Sequence, residues 1–361
     1  MIDKEIILRL VRLGIGSDSS RRLFHDTNTK QVDWQAVEAL ALQQGLSAIV
    51  VDGVEQLPDN QRPPKELLLQ WIGETLQGYE YRYELYCRAV AELASFYNSH
   101  GYKMMVLKGY ACSLDWPKPE HRPCGDIDIW QFGKQKEADA LLSKERGIKI
   151  DNSHHHHTVF TWRDFMVENH FDFINTKDLR SSKEIESVFK ELGRDDSHSV
   201  EIYGEKVYLP STNLHALFLL KHTLLHFVST SMTLRQVLDW GFFVKAHGKE
   251  VDWKWLLGIL EKYKMKEFFD CVNAICVEDL GFESILFPYV QFNPFLKDQI
   301  LNDTLYPKFT EEEPSFFISR IAYKIKRWNG NGWKQKMCYT DSRTSFFFRS
   351  LWAHLIKPAT L

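Results

Sequence analysis

Residues 103–130 read KMMVLKGYACSLDWPKPEHRPCGDIDIW, and the two ends of this stretch decide the fold. KMMVLKG is a short apolar run closed by Gly109, the pattern of a buried strand. GDIDIWQF alternates acid with apolar residue, the period-two signature of a second strand. On such a strand residues i and i+2 share a face, so the carboxylates of Asp126 and Asp128 project together. Two adjacent carboxylates repel unless a cation sits between them, and hard oxygen ligands suit Mg²⁺ or Mn²⁺. Removing mutually repelling acids should therefore leave the fold intact.

Downstream, KQKEADALLSKE reads as a helix. HHHHTVFTW and FMVENHFDFI are strand candidates separated by Arg163-Asp164, as in a β-hairpin. Strands flanked by helices make residues 101–210 an α+β unit. Glu168 is the choice for a third acid, which would complete a two-metal site for phosphoryl or nucleotidyl transfer. Asp172 is its rival, because even spacing along one strand cannot separate the two. The run His154–His157 reads as a polar strand end or loop, since alternate members of a strand face opposite sides.

The flanks change period. Residues 1–100 read as helices, with Gly45 a C-cap and Gly101 closing a long run opened by prolines. Residues 211–320 are helical again, and 321–361 form a basic, aromatic tail. That tail reads as an amphipathic segment docked on the body, because Phe346, Phe347 and Phe348 are costly to leave in water. In the 211–320 segment His215, His222 and His226 share one helical face and could line a cleft opposite the acids. Arg235 and Asp239 sit four apart, the spacing of a helix-surface ion pair.

With 44% hydrophobic and 26% charged residues, the chain has the balance of a globular protein rather than a disordered one. A net charge of −3 argues against whole-molecule attraction to nucleic acid or anionic lipid. The most apolar long stretch, 214–228, is too short to cross a bilayer and is broken by His215, Lys221, His222 and His226. No membrane span is expected. Six cysteines without CxxC spacing indicate neither a zinc framework nor a disulfide scaffold, so a reducing cytoplasm is the expected compartment.

The stretches VLKGYACSLDWPKPEHRPCGDIDIW and VENHF, with the later RQVLDWG, carry a resemblance. They resemble the bacterial uncharacterised nucleotidyltransferase family of the polymerase-beta-like superfamily. Its pattern runs LKG, a Pro/Arg-containing spacer, GDID, then an acid followed two residues on by His. The resemblance implies an α+β core, a small mixed sheet with helices, embedded between N- and C-terminal helical segments. It implies that Asp126 and Asp128 hold divalent metal, Mg²⁺ or Mn²⁺, assisted by Glu168. Lys108, Gly109, Gly125 and Arg122 would meet the phosphates of a nucleoside triphosphate. His170, His222, Arg235 and Asp239 would face the same cleft. Gly109 is followed by Tyr110 where the superfamily has Gly-Ser or Gly-Gly, which leaves Lys108 or Arg122 to substitute in the triphosphate grip. The implied reaction moves a nucleoside monophosphate to an acceptor hydroxyl on a small molecule, a protein or an RNA end. The alternative is a catalytically inactive nucleotide- or partner-binding module of the same fold.

Overall fold

The computed structural model describes residues 2–18, 32–177, 180–288, 291–309 and 317–342. The first helices are α1 (Ile2–Gly14), α2 (Trp34–Gln44), α3 (Ser47–Glu55), α4 (Lys65–Thr75) and α5 (Arg82–Ser99). Asp33 caps α2 by accepting from Ala36 N–H at 3.0 Å, and Gly45 ends it in the left-handed conformation, as its sequence signals. A π-helical stretch, Leu76–Tyr81, joins α4 to α5.

The middle of the chain supplies β1 (Met105–Val106), α6 (Tyr110–Ser113), β2 (Ile127–Trp130), α7 (Gln135–Arg146), β3 (His157–Trp162) and β4 (Phe165–His170). After α8 (Arg180–Leu192) come β5 (Ser199–Ile202) and β6 (Glu205–Tyr208). The remaining helices are α9 (Thr212–Ser229), α10 (Leu234–His247), α11 (Trp253–Lys262), α12 (Lys266–Ala274), α13 (Pro294–Leu305), α14 (Phe317–Gly330) and α15 (Gly332–Cys338). The fold is mixed α+β, as the sequence pattern implies.

The strands form one six-stranded sheet in the order β3-β4-β2-β1-β6-β5. β2 pairs in parallel with β4 and β1 in parallel with β6, while the other neighbours are antiparallel. The β3–β4 hairpin turns at Arg163-Asp164, as expected. The β5–β6 hairpin and α8 are additions to the sequence reading. Tyr203 and Gly204 both take positive φ there, the requirement of a tight two-residue hairpin turn.

Alternation along the strands sends side chains to two different cores. Val106, Ile127, Ile129, Val167 and Val207 pack against Tyr86, Val90, Leu93 and Tyr97 of α5. Met105, Leu107, Trp130 and Tyr208 belong instead to the larger core built by the N- and C-terminal helices. Asp128, Glu168 and His170 lie on this second face by parity, so the sheet carries them toward α9.

The start of the tail is docked. Lys334 is buried in α15, with Nζ 2.5 Å from Asp303 Oδ2 and donating to the Thr230 carbonyl at 3.0 Å. Its ammonium group lies over the Phe227 ring, 4.8 Å from the centroid. Arg343, Phe346–Phe348, Arg349, Trp352 and Lys357 lie outside the described residues. No helix among the described residues is long and apolar enough to cross a membrane. Breaking a buried pair of this kind costs about 3–5 kcal/mol. Lys334→Ala is therefore expected to lower the urea midpoint clearly, and an unchanged midpoint would contradict the anchoring of α15.

Candidate active site

The parallel register sets Asp128 of β2 directly beside Glu168 of β4. Asp128 is almost wholly buried, whereas Asp126, just ahead of the strand, is about one-third exposed. Lys108 reaches them from the end of β1, where Leu107 N–H donates to the Asp128 carbonyl at 3.0 Å. Its Nζ lies 3.2 Å from Asp128 Oδ1 and 3.6 Å from Asp126 Oδ2. The expected repulsion between the two acids is thus already answered by an ammonium group. Burial works to raise the pKa of Asp128, but Lys108 and the contact with His170 Nε2 outweigh it and hold the carboxyl well below its usual range. Burial likewise opposes the charge on Lys108, and Asp128 and Asp126 overcome it. This corrects the expectation that the acids can be removed at no cost. Without Asp128, a buried lysine loses its nearest counter-ion.

Geometry sets Glu168, and not Asp172, beside Asp128. Burial and the neighbouring Asp128 push its carboxyl above the usual range, with His170 and Lys108 pulling the other way. Asp172 lies beyond the end of β4 and pairs with Lys190 of α8. Strand parity could not reveal that the strand stops at His170.

Histidines surround the acids. His170 Nε2 is 3.2 Å from Asp128 Oδ1 and 3.7 Å from Glu168 Oε2. From α9, His222 Nε2 accepts from Lys108 Nζ at 3.3 Å, because an ammonium only donates. His226 Nε2 then donates to the same His222 nitrogen at 3.0 Å. Burial, followed by the charge of Lys108, lowers the pKa of both, His226 to about 4. His215 of the same face goes elsewhere, packing against Phe243 with its Nε2 3.7 Å from Cys112 Sγ.

The histidine run also reaches the site. Only His157 is in the strand, so His156 escapes strict alternation and its ring lies 4.3 Å from that of His157 and 5.6 Å from that of His170. Reading the whole run as a polar strand end missed this convergence. Among the described residues, ligand atoms of Asp128, Glu168 and His170 lie within 4.8 Å of one another, as do those of His156, His157 and His170. Asp128 Oδ2 is buried without a hydrogen-bond partner. This oxygen and nitrogen donor set fits a divalent cation.

Gly109 makes the turn from β1 into α6 with φ of 63°, and a Cβ there would lie 2.2 Å from Tyr86 Oη. That hydroxyl donates to the Asp126 carbonyl at 3.1 Å, fixing the backbone ahead of β2. α6, which follows Gly109, is a single turn.

Arg122 and Asp239 both line the cleft, as expected, but their charges are paired with each other. Arg122, expected to meet phosphate, is buried and makes its bidentate pair with Asp239, at 2.7 and 2.9 Å. Trp116 Nε1 donates to the same carboxylate at 2.9 Å. Asp239 is therefore committed across the fold rather than to Arg235 on its own helix. A further Arg122 nitrogen donates to the Pro123 carbonyl at 3.2 Å, which leaves the guanidinium largely spent within the protein. Arg235 lines the same cleft as Arg122 and Asp239, together with Lys108, Gly109, Gly125, Asp126 and His222, and its Nε is buried without a partner.

The fold is of the nucleotidyltransferase-like α+β class. The pattern of a family described as uncharacterised nucleotidyltransferase matches residues 30–281, and the chain belongs to that family. Among solved structures it is similar to an antigenic nucleotidyltransferase-like protein from Paracoccidioides brasiliensis. The two share 17% identity with a TM-score of 0.32, over 44% of this chain and 75% of that one. No curated protein matches.

Gly109→Ala is expected to destabilise the protein by about 1–3 kcal/mol, through a strained φ and contact with Tyr86. In a Tyr86→Phe background, which removes the nearest clashing atom, part of that loss should return. Equal losses in both backgrounds, read by thermal melting, would contradict the close approach.

Proposed function

We propose that this chain transfers a nucleoside monophosphate from a nucleoside triphosphate to an acceptor hydroxyl, using a divalent cation. The observation that supports this most is the convergence of Asp126, Asp128 and Glu168 with two cleft-lining cations, Lys108 and Arg235. Acids alone would repel a triphosphate, and cations alone would bind it without activating it.

Asp128 and Glu168, with His170 beside them, would hold the cation, and Asp126 lies at the open side of the cleft to meet the nucleotide. A divalent ion bound there offsets the charge of the triphosphate and aligns it for in-line displacement. Lys108 turns from the acids to the phosphates once the acids are neutralised, a short movement for a four-carbon stem. Arg235 brings a planar donor fork to the same phosphates, the role sequence shared between Arg122 and Lys108. Arg122 holds α10, and with it Arg235, against the loop before β2. The acceptor oxygen attacks the α-phosphorus, its proton passes to Glu168, and the bond to the bridging oxygen breaks to release pyrophosphate. The acceptor itself is a small molecule, a protein side chain or an RNA end.

The rival reading, an inactive binding module, draws on the Lys108 ion pairs, which already neutralise the acids. Turnover separates the two. Incubation with each labelled triphosphate and Mg²⁺ or Mn²⁺ should release pyrophosphate and label the protein or an added acceptor. Glu168→Gln should abolish most of that turnover while nucleotide binding is largely kept. Arg235→Ala should weaken triphosphate binding about tenfold or more, the loss of a charge-assisted contact worth about 1.5–3 kcal/mol, without lowering the melting temperature. Tight nucleotide binding with no pyrophosphate under any condition would favour the binding module.

A further inference from the structure

Three imidazoles crowd together at the acids. The ring centroids of His156, His157 and His170 are 4.3, 5.3 and 5.6 Å apart. A metal–nitrogen bond of about 2.1 Å puts each ring centre about 3.2 Å from an ion, so two ligating rings lie about 4.6 Å apart at right angles and about 5.3 Å apart in a tetrahedron. The observed spacings bracket those values. His156 Nδ1 and both ring nitrogens of His157 are buried with no hydrogen-bond partner. Unpaired buried polar atoms of this kind cost about 1–3 kcal/mol each, and a metal–nitrogen bond satisfies them.

His170 adds a second argument. Its Nδ1 lies 3.2 Å from the Asp172 carbonyl and can only donate to it. In the neutral ring the lone pair then sits on Nε2, which faces Asp128 and Glu168 oxygens at 3.2 and 3.7 Å. A lone pair facing carboxylates calls for a positive charge between them, which a proton or a metal ion supplies. A ligating histidine with its other nitrogen held by a backbone carbonyl has this same arrangement. The backbone is pinned as well, since the His156 carbonyl accepts from both Phe171 and Asp172 N–H groups at 3.0 Å.

We propose that His156, His157 and His170 join Asp128 and Glu168 in one histidine-rich site that selects a transition-metal ion over Mg²⁺. Imidazole suits ions such as Mn²⁺, Co²⁺ and Zn²⁺, whereas Mg²⁺ keeps to oxygen ligands and water. This deepens the proposed function, because it assigns the identity of the ion at that same site, but binding can be read without any nucleotide.

The experiment is titration of the full chain with Co²⁺, followed by its visible absorption, and competition with Mg²⁺ and Zn²⁺. One Co²⁺ should bind with the spectrum of nitrogen ligation, displaced by Zn²⁺ and not by millimolar Mg²⁺. His156→Ala and His157→Ala should each weaken it at least about tenfold, while His155→Ala in the same run should not. His156→Gln with His157→Gln, nearer in volume, repeats the test if the alanine variants melt early. Co²⁺ binding unaffected by the histidine variants but lost in Asp128→Asn would overturn the proposal and leave nucleotidyl transfer standing. Absence of Co²⁺ binding would also overturn it, while pyrophosphate release with Mg²⁺ would still report on the reaction separately.

Discussion

The ion pair between Lys108 and Asp128 is the interaction on which the rest of the cleft depends. A carboxylate at 1% exposure cannot stay ionised without a partner, and Lys108 at 3.2 Å is the nearest full charge. That need places the end of β1 at the cleft, and the chain must turn away directly afterward. Gly109 makes the turn because its positive φ and the Tyr86 hydroxyl leave no space for a side chain. The same tyrosine then holds the Asp126 carbonyl, so the backbone of both strands is tied to α5. A second buried pair, Arg122 with Asp239, ties the loop before β2 to α10. Two salt bridges thus position the acids on one wall and Arg235 on the other.

These pairs explain why electrostatics of the whole chain say so little about the site. The net charge is only −3, yet Lys108 and His170 lie within a few ångströms of the acids, and Arg235 lines the same cleft as Lys108 and Asp126. Neutralisation is local. On the proposed function an anionic nucleotide would meet Lys108 and Arg235, and a cation would meet Asp128, Glu168 and His170, so that each charged ligand would offset the repulsion felt by the other.

Much of this was legible in the sequence wherever the signal was local. Period-two alternation located β2, and the dipeptide Arg163-Asp164 located the β3–β4 turn. Gly45 marked the end of α2. What escaped depends on contacts distant in sequence. Arg122 and Asp239 are 117 positions apart, so nothing in either neighbourhood told that one would consume the other. Asp172 shares the parity of Glu168 and is excluded only because β4 ends at His170 and Lys190 takes its charge. The β5–β6 hairpin carried a usable signal, Gly204 between two alternating segments, that a helix-dominated flank obscured. His156 and His157 converge because the strand begins between them, a boundary finer than any periodicity resolves.

The most direct test is a crystal structure with Mn²⁺ and a nonhydrolysable nucleoside triphosphate, the ion located by its anomalous signal. The account predicts Mn²⁺ bound by Asp128 and Glu168, the triphosphate against Arg235, and Lys108 turned from the carboxylates to the phosphates. A nucleotide bound away from this cleft, or Lys108 still lodged between Asp126 and Asp128 with no ion beside them, would contradict it.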